Sequence, residues 1–236
     1  ARLCGGPMLT LLTATGCRPK AWEICQKLAM AQTYPGRVRW VIVDDGVDPQ
    51  PITFDRSGWE LVVIRPEPFW KPGQNTQARN LLAGMACIDA SERVVCWEDD
   101  DAYAPDWLAT VDCWLEHAEL VGSNRARYYN VATRTARQLH NEHHASLCST
   151  AMRGDALKTF FALLQISQKF IDIELWKSAK SKKLFRSDQV VGIKGLPGRF
   201  GIGMGHRPDF QGQHDKHGKI LREWVGENAA LYLGTP

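Results

Sequence analysis

Short apolar runs alternate with longer amphipathic stretches through the first half of the chain. Met8–Leu12 predicts a strand that ends in the polar turn Thr13–Arg18. Pro19, a favoured first-turn residue, then opens a helix in which Ala21, Cys25, Leu28, Ala29 and Gln32 recur at helical spacing beside Trp22. Tyr34-Pro35-Gly36 stops it. Val38–Val43 predicts a second buried strand ending in Asp44-Asp45-Gly46, and Trp59–Arg65 a third, followed by a proline-rich loop through Gly73. Asn75 or Thr76 can cap a helix carrying Ala78, Leu81, Leu82, Met85 and Ile88. Val94-Val95-Cys96-Trp97 is the next strand, and Pro105 starts a helix with Leu108, Val111, Leu115 and Ala118.

Apolar strands alternating with helices predict an α/β fold, with a mainly parallel central sheet flanked by helices on both faces. The second half is less regular. Tyr128–Val131, Leu147–Met152 and Val190–Ile193 read as strands, Gly154–Leu164 and Phe170–Lys180 as helices, and Lys219–Tyr232 as a terminal helix. Residues 1–7 carry Gly5-Gly6-Pro7 and are set aside. Neither an internal repeat nor a low-complexity linker divides the chain, so one domain over 1–236 is expected.

Composition narrows the picture little: 236 residues, 44% hydrophobic and 23% charged, are ordinary for a globular chain. A net charge of +3 requires no global attraction to nucleic acid or membrane. The charge is uneven, however. Lys177, Lys180, Lys182, Lys183 and Arg186 crowd one stretch, a solvated helix face or a phosphate-contacting surface. Seven cysteines without a CxxC pair argue for free thiols in a reducing, cytoplasmic setting. No apolar run approaches the length of a membrane span, and no secretory signal is seen.

Candidate chemistry centres on Glu98-Asp99-Asp100-Asp101, directly after the Val94–Trp97 strand. Four adjacent carboxylates repel one another and call for a cation. The C-terminal end of a strand in an open α/β sheet is where ligands bind. In extended geometry Glu98 and Asp100 would point one way, Asp99 and Asp101 the other. Paired oxygen donors suit a hard divalent ion such as Mg²⁺ or Mn²⁺ that also holds a substrate phosphate. A solvated acidic turn before a helix is the alternative.

Several segments then fall in order: Thr13-Ala14-Thr15-Gly16-Cys17-Arg18-Pro19, Gln32-Thr33-Tyr34-Pro35, Val41-Ile42-Val43-Asp44-Asp45-Gly46, Ala78-Arg79-Asn80 and Glu98–Asp101. This order resembles the family 2 glycosyltransferases, closely over Met8 to about Asp106 and more weakly to Trp176. The resemblance implies the GT-A nucleotide-diphospho-sugar transferase fold. It implies a nucleotide-sugar-binding half over 8–104 and an acceptor-binding half over 105–236. It places Thr13, Thr15, Arg18, Asp44, Asp45, Arg79 and Asp99 around the nucleotide, with Asp44 and Asp45 toward the base, usually uracil. The family's Asp-x-Asp metal pattern falls on Glu98, Asp100 and Asp101, implying Mn²⁺ or Mg²⁺, with Glu standing where the family has its first Asp.

Phe170-Ile171-Asp172-Ile173-Glu174-Leu175-Trp176 resembles the family's segment carrying the catalytic base, which puts Asp172 in that role. The family's usual acid just before it is here Ile171, and Glu174 is a rival. Asp172 could instead simply cap the following helix. Gly195, Gly198, Gly201, Gly203 and Gly205 lie without the strand-then-helix context of a dinucleotide fingerprint. They suit a mobile loop that approaches a diphosphate, with Lys194, Arg199 and Arg207 supplying charge. A late His often completes the metal site in GT-A enzymes, and His206 is best placed. His140, His143 and His144, followed by Cys148, would share a face on a helix, and zinc there is conceivable.

The activity implied is transfer of a sugar from a UDP-sugar to a hydroxyl, with inversion. A soluble saccharide, a protein or DNA could be the acceptor. Small free-standing transferases of this kind are similar to phage enzymes that glycosylate hydroxymethylated pyrimidines, and Trp176 and Phe185 within the basic stretch could stack on bases. A nucleotidyltransferase would need a Gly-rich signature that Gly16-Cys17-Arg18-Pro19-Lys20 matches poorly. A sugar-nucleotide-binding module without catalysis is the remaining class.

Overall fold

A computed structural model describes residues 8–167, 169–201, 203–206 and 209–234. The first half consists of β1 (Leu9–Thr15), α1 (Pro19–Met30), β2 (Val38–Asp44), β3 (Trp59–Ile64), α2 (Gln77–Met85), β4 (Arg93–Cys96), β5 (Ala102–Tyr103) and α3 (Trp107–Trp114). The second half adds β6 (Leu120–Ser123), β7 (Arg125–Asn130), β8 (Thr135–His140), β9 (Thr150–Met152), α4 (Gly154–Ile166), α5 (Ile171–Ser178), β10 (Lys182–Phe185), β11 (Val190–Lys194), β12 (Gln213–His214), α6 (Lys219–Val225) and α7 (Ala229–Leu233).

Seven strands form the main sheet in the order β10-β6-β9-β4-β1-β2-β3. All its pairings are parallel except those of β9, which lies antiparallel between β4 and β6. The near-continuous apolar strands follow from burial on both faces. Leu9, Leu11, Trp40, Ile42 and Val95 meet α1, α3 and the second sheet on one side. Leu12, Val41, Val43, Val94 and Cys96 meet α2, α4 and α5 on the other. A five-stranded sheet, β12-β8-β7-β11-β5, packs beside this frame. It brings β11, and the glycine-rich segment after it, to the C-terminal ends of β1, β2 and β4.

Several expectations are corrected. β1 continues through Thr15, because Thr13, Ala14 and Thr15 stay in register with Ile42, Val43 and Asp44. The expected polar turn therefore shrinks to Gly16-Cys17-Arg18. Leu147–Ser149 is a single 3₁₀ turn leading into β9 rather than strand. The terminal helix breaks at Gly226, where φ is +60°. His140 ends β8 and no helix follows it, so His140, His143 and His144 do not share a helical face. The basic stretch is the end of α5 plus the edge strand β10, not one helix face. Within it Trp176 is buried and its indole N–H faces Thr150, so that ring is no stacking surface. Phe185 stacks on Trp114 at 4.5 Å.

Gly122 shows how tightly β6 is packed. A Cβ there would lie 2.5 Å from Ala145 Cβ, 2.8 Å from the Ser149 carbonyl oxygen and 2.9 Å from Trp176. Backbone cannot yield as a side-chain tip can. Gly122→Ala should therefore lower the unfolding free energy by about 1–3 kcal/mol, read as a reduced urea midpoint.

Candidate active site

The parallel strands end on one side of the sheet, so Thr15, Asp44-Asp45 and the segment Trp97–Asp101 converge. Three turns interlock there. A Cβ on Gly16, at φ +137°, would sit 2.5 Å from Asp45 Oδ1 and 2.7 Å from the Gly46 nitrogen. Only glycine allows the turn after β1 to lie against the turn after β2. Gly198, at φ +107°, meets the Cys17 carbonyl in the same way, and the Arg199 N–H donates to that oxygen at 3.1 Å. The glycine-rich segment is thus pinned onto the turn that carries Arg18.

The acidic run leaves the strand conformation at Trp97, so simple alternation does not persist. Asp99 and Asp100 face Arg18, which holds both in a fork with contacts of 2.5 Å each. Asp99 also accepts from the Thr15 hydroxyl at 2.7 Å. Glu98 and Asp101 form the other pair, with Cys148: one ligand atom from each lies within 4.8 Å of the others. Lys194 donates to Asp101 Oδ1 at 2.9 Å and stands 3.7 Å from Asp100. The Ile193 N–H also donates to Asp101 Oδ1, at 2.8 Å. Gln77 reaches Glu98 at 2.7 Å, and the Glu98 N–H donates to the Tyr103 hydroxyl at 2.8 Å.

Protonation follows from burial set against the cations within reach. Burial pushes Asp99 up to about 6 despite Arg18. Asp100 is buried too, yet Arg18, Lys194 and His206 together hold it well below the usual carboxylate range. Burial, then repulsion from Asp101, drives Glu98 well up; burial raises Asp101 against the opposing pull of Lys194. Burial opposes charge on Lys194, but Asp100, Asp101 and Glu98 more than offset it and raise its pKa.

His206 Nε2 lies 3.7 Å from Asp100 Oδ2. Burial first, then Lys194, depress its pKa to about 3, so the ring is neutral near pH 7. Its Nδ1 is buried without a hydrogen-bond partner, as is Asp101 Oδ2. A neutral imidazole facing an ionised carboxylate, with further carboxylates alongside, is a donor set that fits a divalent ion. A Cβ on Gly201 would come 2.5 Å from His206 Nε2, so a bare backbone is needed for the ring to sit there.

Asp45 and Asp44 differ in their surroundings. Asp44 is tied into its own turn, accepting from the Gly46 and Gln50 N–H groups and from Arg65, each at 2.8–2.9 Å. Asp45 is ringed by Arg79 at 3.0 Å, Arg199 at 2.7 Å and the Thr76 hydroxyl. Arg79 also holds the Pro68 carbonyl at 2.7 Å. Arg199 thus stands at Asp45 rather than beside the acidic run. Thr13 is fully buried and accepts from the Trp40 indole at 2.9 Å, so it serves the core and does not face the cleft. Arg207 lies outside the described residues.

Asp172 sits in the first turn of α5, partly buried, and burial raises its pKa against the local backbone N–H groups and His144. The Cys96 thiol at the end of β4 is pushed up by burial and then by Glu98 and Asp172, which places both carboxylates within electrostatic reach of that strand end. Glu174 is instead paired with Lys177 at 2.8 Å on the surface. Sequence reasoning missed Gln77 and Tyr103, and set Cys148 with His140, His143 and His144 rather than with the acidic run. Cys148 is 47 positions beyond Asp101 and reaches it only because β9 inserts between β4 and β6. Among the described residues, all cysteines are free, and no helix is long and apolar enough to cross a membrane.

Comparison with known proteins gives a likeness of fold. The S. aureus TarS structure with UDP-GlcNAc superposes with a TM-score of 0.59 at 15% identity, over 85% of this chain and 61% of that one. The TarS structure with UDP gives 0.57 at 14% identity, over 79% and 60%. The longer S. aureus TarS structure gives 0.57 at 15% identity, over 79% and 36%. The chain thus spans between about a third and three-fifths of the structures it matches. No family model and no curated protein matches it. The α/β architecture, a mainly parallel sheet flanked by helices, is GT-A-like.

Arg18→Ala would strip Asp99 and Asp100 of their main cation and should cost about 3–5 kcal/mol at pH 7. Because Arg18 depresses Asp100, its benefit is present above the unfolded aspartate pKa and is lost as pH falls. The gap between wild type and variant in urea unfolding should therefore begin to narrow near pH 6, where Asp99 takes up its proton, and narrow further below about pH 4. A gap constant from pH 7 to 3 would assign the loss to packing instead.

Proposed function

We propose that this chain is a glycosyltransferase that moves a sugar from a UDP-sugar to a hydroxyl acceptor with inversion, using Mn²⁺ or Mg²⁺. The observation that carries the reading is the buried carboxylate cluster after the C-terminal end of β4, with Asp45 after the C-terminal end of β2 in the same parallel sheet. The fold likeness to TarS, solved with UDP and with UDP-GlcNAc, supports it. The nucleotide-sugar half is 8–104 and the acceptor half 105–236.

In this reading Asp45 and Arg79 receive the base and ribose, with Thr15, Arg18, Asp44 and Asp99 shaping the floor of that half. Asp100 and His206 would hold the metal, with Glu98 and Asp101 beside them. The bound ion would supply positive charge to the leaving diphosphate. Lys194 stands 3.7 Å from Asp100 and adds charge on the same side. Asp172, partly buried and with a raised pKa, takes the proton from the acceptor hydroxyl. The acceptor oxygen bonds to the anomeric carbon as the carbon–oxygen bond to the diphosphate breaks, and UDP leaves from the opposite face. Arg199 and Arg207 are assigned to the diphosphate once donor is bound.

Calorimetry with UDP and Mn²⁺ tests the donor half. Wild type should bind only with metal, and Asp100→Ala should not bind. Asp172→Asn should retain UDP affinity while kcat falls about 10²- to 10⁴-fold. Equal loss of binding in Asp172→Asn would move that residue from the acceptor side to the donor side.

For the acceptor we propose a hydroxymethylated pyrimidine in DNA. Exposed Lys180 and Lys183 and the edge strand β10 offer a basic rim. Lys177 and Lys182 contribute less, being engaged with Glu174 and with the Trp176 carbonyl. A gel-shift titration should show duplex binding that weakens steeply between 50 and 200 mM salt, the range over which phosphate contacts are screened. Absence of a shift at low salt would redirect the search to saccharide or protein acceptors.

A further inference from the structure

Trp70 lies in the loop between β3 and α2, partly exposed, beside the base-facing side of the site. It is anchored at both ends: its backbone N–H donates to the Asp45 carbonyl at 2.8 Å, and its indole N–H to the Gln74 carbonyl at 3.0 Å. The ring is covered by the Arg199 guanidinium, whose central carbon is 4.9 Å from the ring centroid. The same guanidinium donates to Asp45 Oδ1 at 2.7 Å and to the Thr76 hydroxyl at 2.6 Å. A planar, delocalised group thus stacks on an indole while giving N–H bonds to a buried carboxylate. A nucleobase with a ring N–H would make the same two kinds of contact.

We propose that Trp70 is the stacking surface for the donor's nucleobase, and that the Arg199 guanidinium over its ring stands where the base would lie. The inference rests on the nucleotide-sugar reading and adds a residue to it. The turn after β1, Gly16-Cys17-Arg18, carries no aromatic ring, so Trp70 supplies the flat apolar face next to Asp45. When the base enters, Asp45 Oδ1 exchanges the Arg199 N–H for the base N–H, while Arg79 stays on Oδ2 and keeps the carboxylate neutralised. Arg199 leaves the ring and its charge becomes available to the diphosphate.

The test is calorimetric titration of UDP, and separately of inorganic diphosphate with Mn²⁺, into wild type, Trp70→Ala, Trp70→Phe and Arg199→Ala. Loss of one base–aromatic stack should weaken UDP binding to Trp70→Ala by about 5- to 150-fold. Diphosphate binding should be unchanged, because it has no base, and Trp70→Phe should recover most of the UDP affinity. Uridine, which offers no phosphate to Arg199, should bind Arg199→Ala more tightly than wild type. Unchanged UDP affinity in Trp70→Ala would overturn the inference and leave the donor reading standing. So would equal loss of UDP and diphosphate, which would make Trp70 a prop of the fold. Weaker uridine binding by Arg199→Ala would overturn the base's placement where Arg199 stands. Failure of wild type to bind UDP at all would instead sink the donor reading itself, and this inference with it.

Discussion

Burying several carboxylates at one strand end is tolerable only if cations are buried with them, and the site is organised around that requirement. Arg18 serves Asp99 and Asp100, and Lys194 serves Asp101 and, at longer range, Asp100. Arg18 comes from the turn after β1, and Lys194 from the last position of β11 in the second sheet. The charge balance therefore couples the two sheets. If either cation moves, a carboxylate must protonate or the segment must open to water. Even so, Glu98, Asp99 and Asp101 all keep raised pKa values because burial outweighs the cations that reach them. That shortfall is what a divalent ion would meet.

The same logic separates Asp45 from Asp44. Asp44 is consumed by its own turn and by Arg65, so it shapes the loop. Asp45 is held by side chains from two separate segments, the start of α2 with the preceding Thr76, and the glycine-rich stretch. Of those partners Arg199 lies farthest along the chain, on a segment pinned by one backbone hydrogen bond to Cys17. Glycines at 16 and 198 let three turns meet there without intervening side chains.

Much of the frame was legible in the chain itself. Apart from the two-residue β5, the strand–helix order through α3, the acidic run after an apolar strand and Pro19 at the start of α1 all follow from local rules of periodicity, burial and backbone restriction. They act within a few residues, so one sequence carries them. β6, β8 and β10 were not legible. Leu120–Ser123 is too short to show alternation, Thr135–His140 pairs its exposed face with polar residues, and Lys182–Phe185 is a charged edge strand that imitates a helix face.

What the sequence by itself determined was therefore a set of local elements and an unusual concentration of negative charge, since both depend on neighbours along the chain. Which carboxylates pair with which cation was decided only by the tertiary structure. Asp99 and Asp100 turn together toward Arg18 because the strand ends at Cys96 and the chain bends at Asp99–Asp101, against the alternation an extended strand would impose. Cys148 joins Glu98 and Asp101 only because β9 runs antiparallel between two parallel strands. Arg199 reaches Asp45 across 154 positions. Electrostatic and packing energies fall off with distance in space, whatever the separation in sequence.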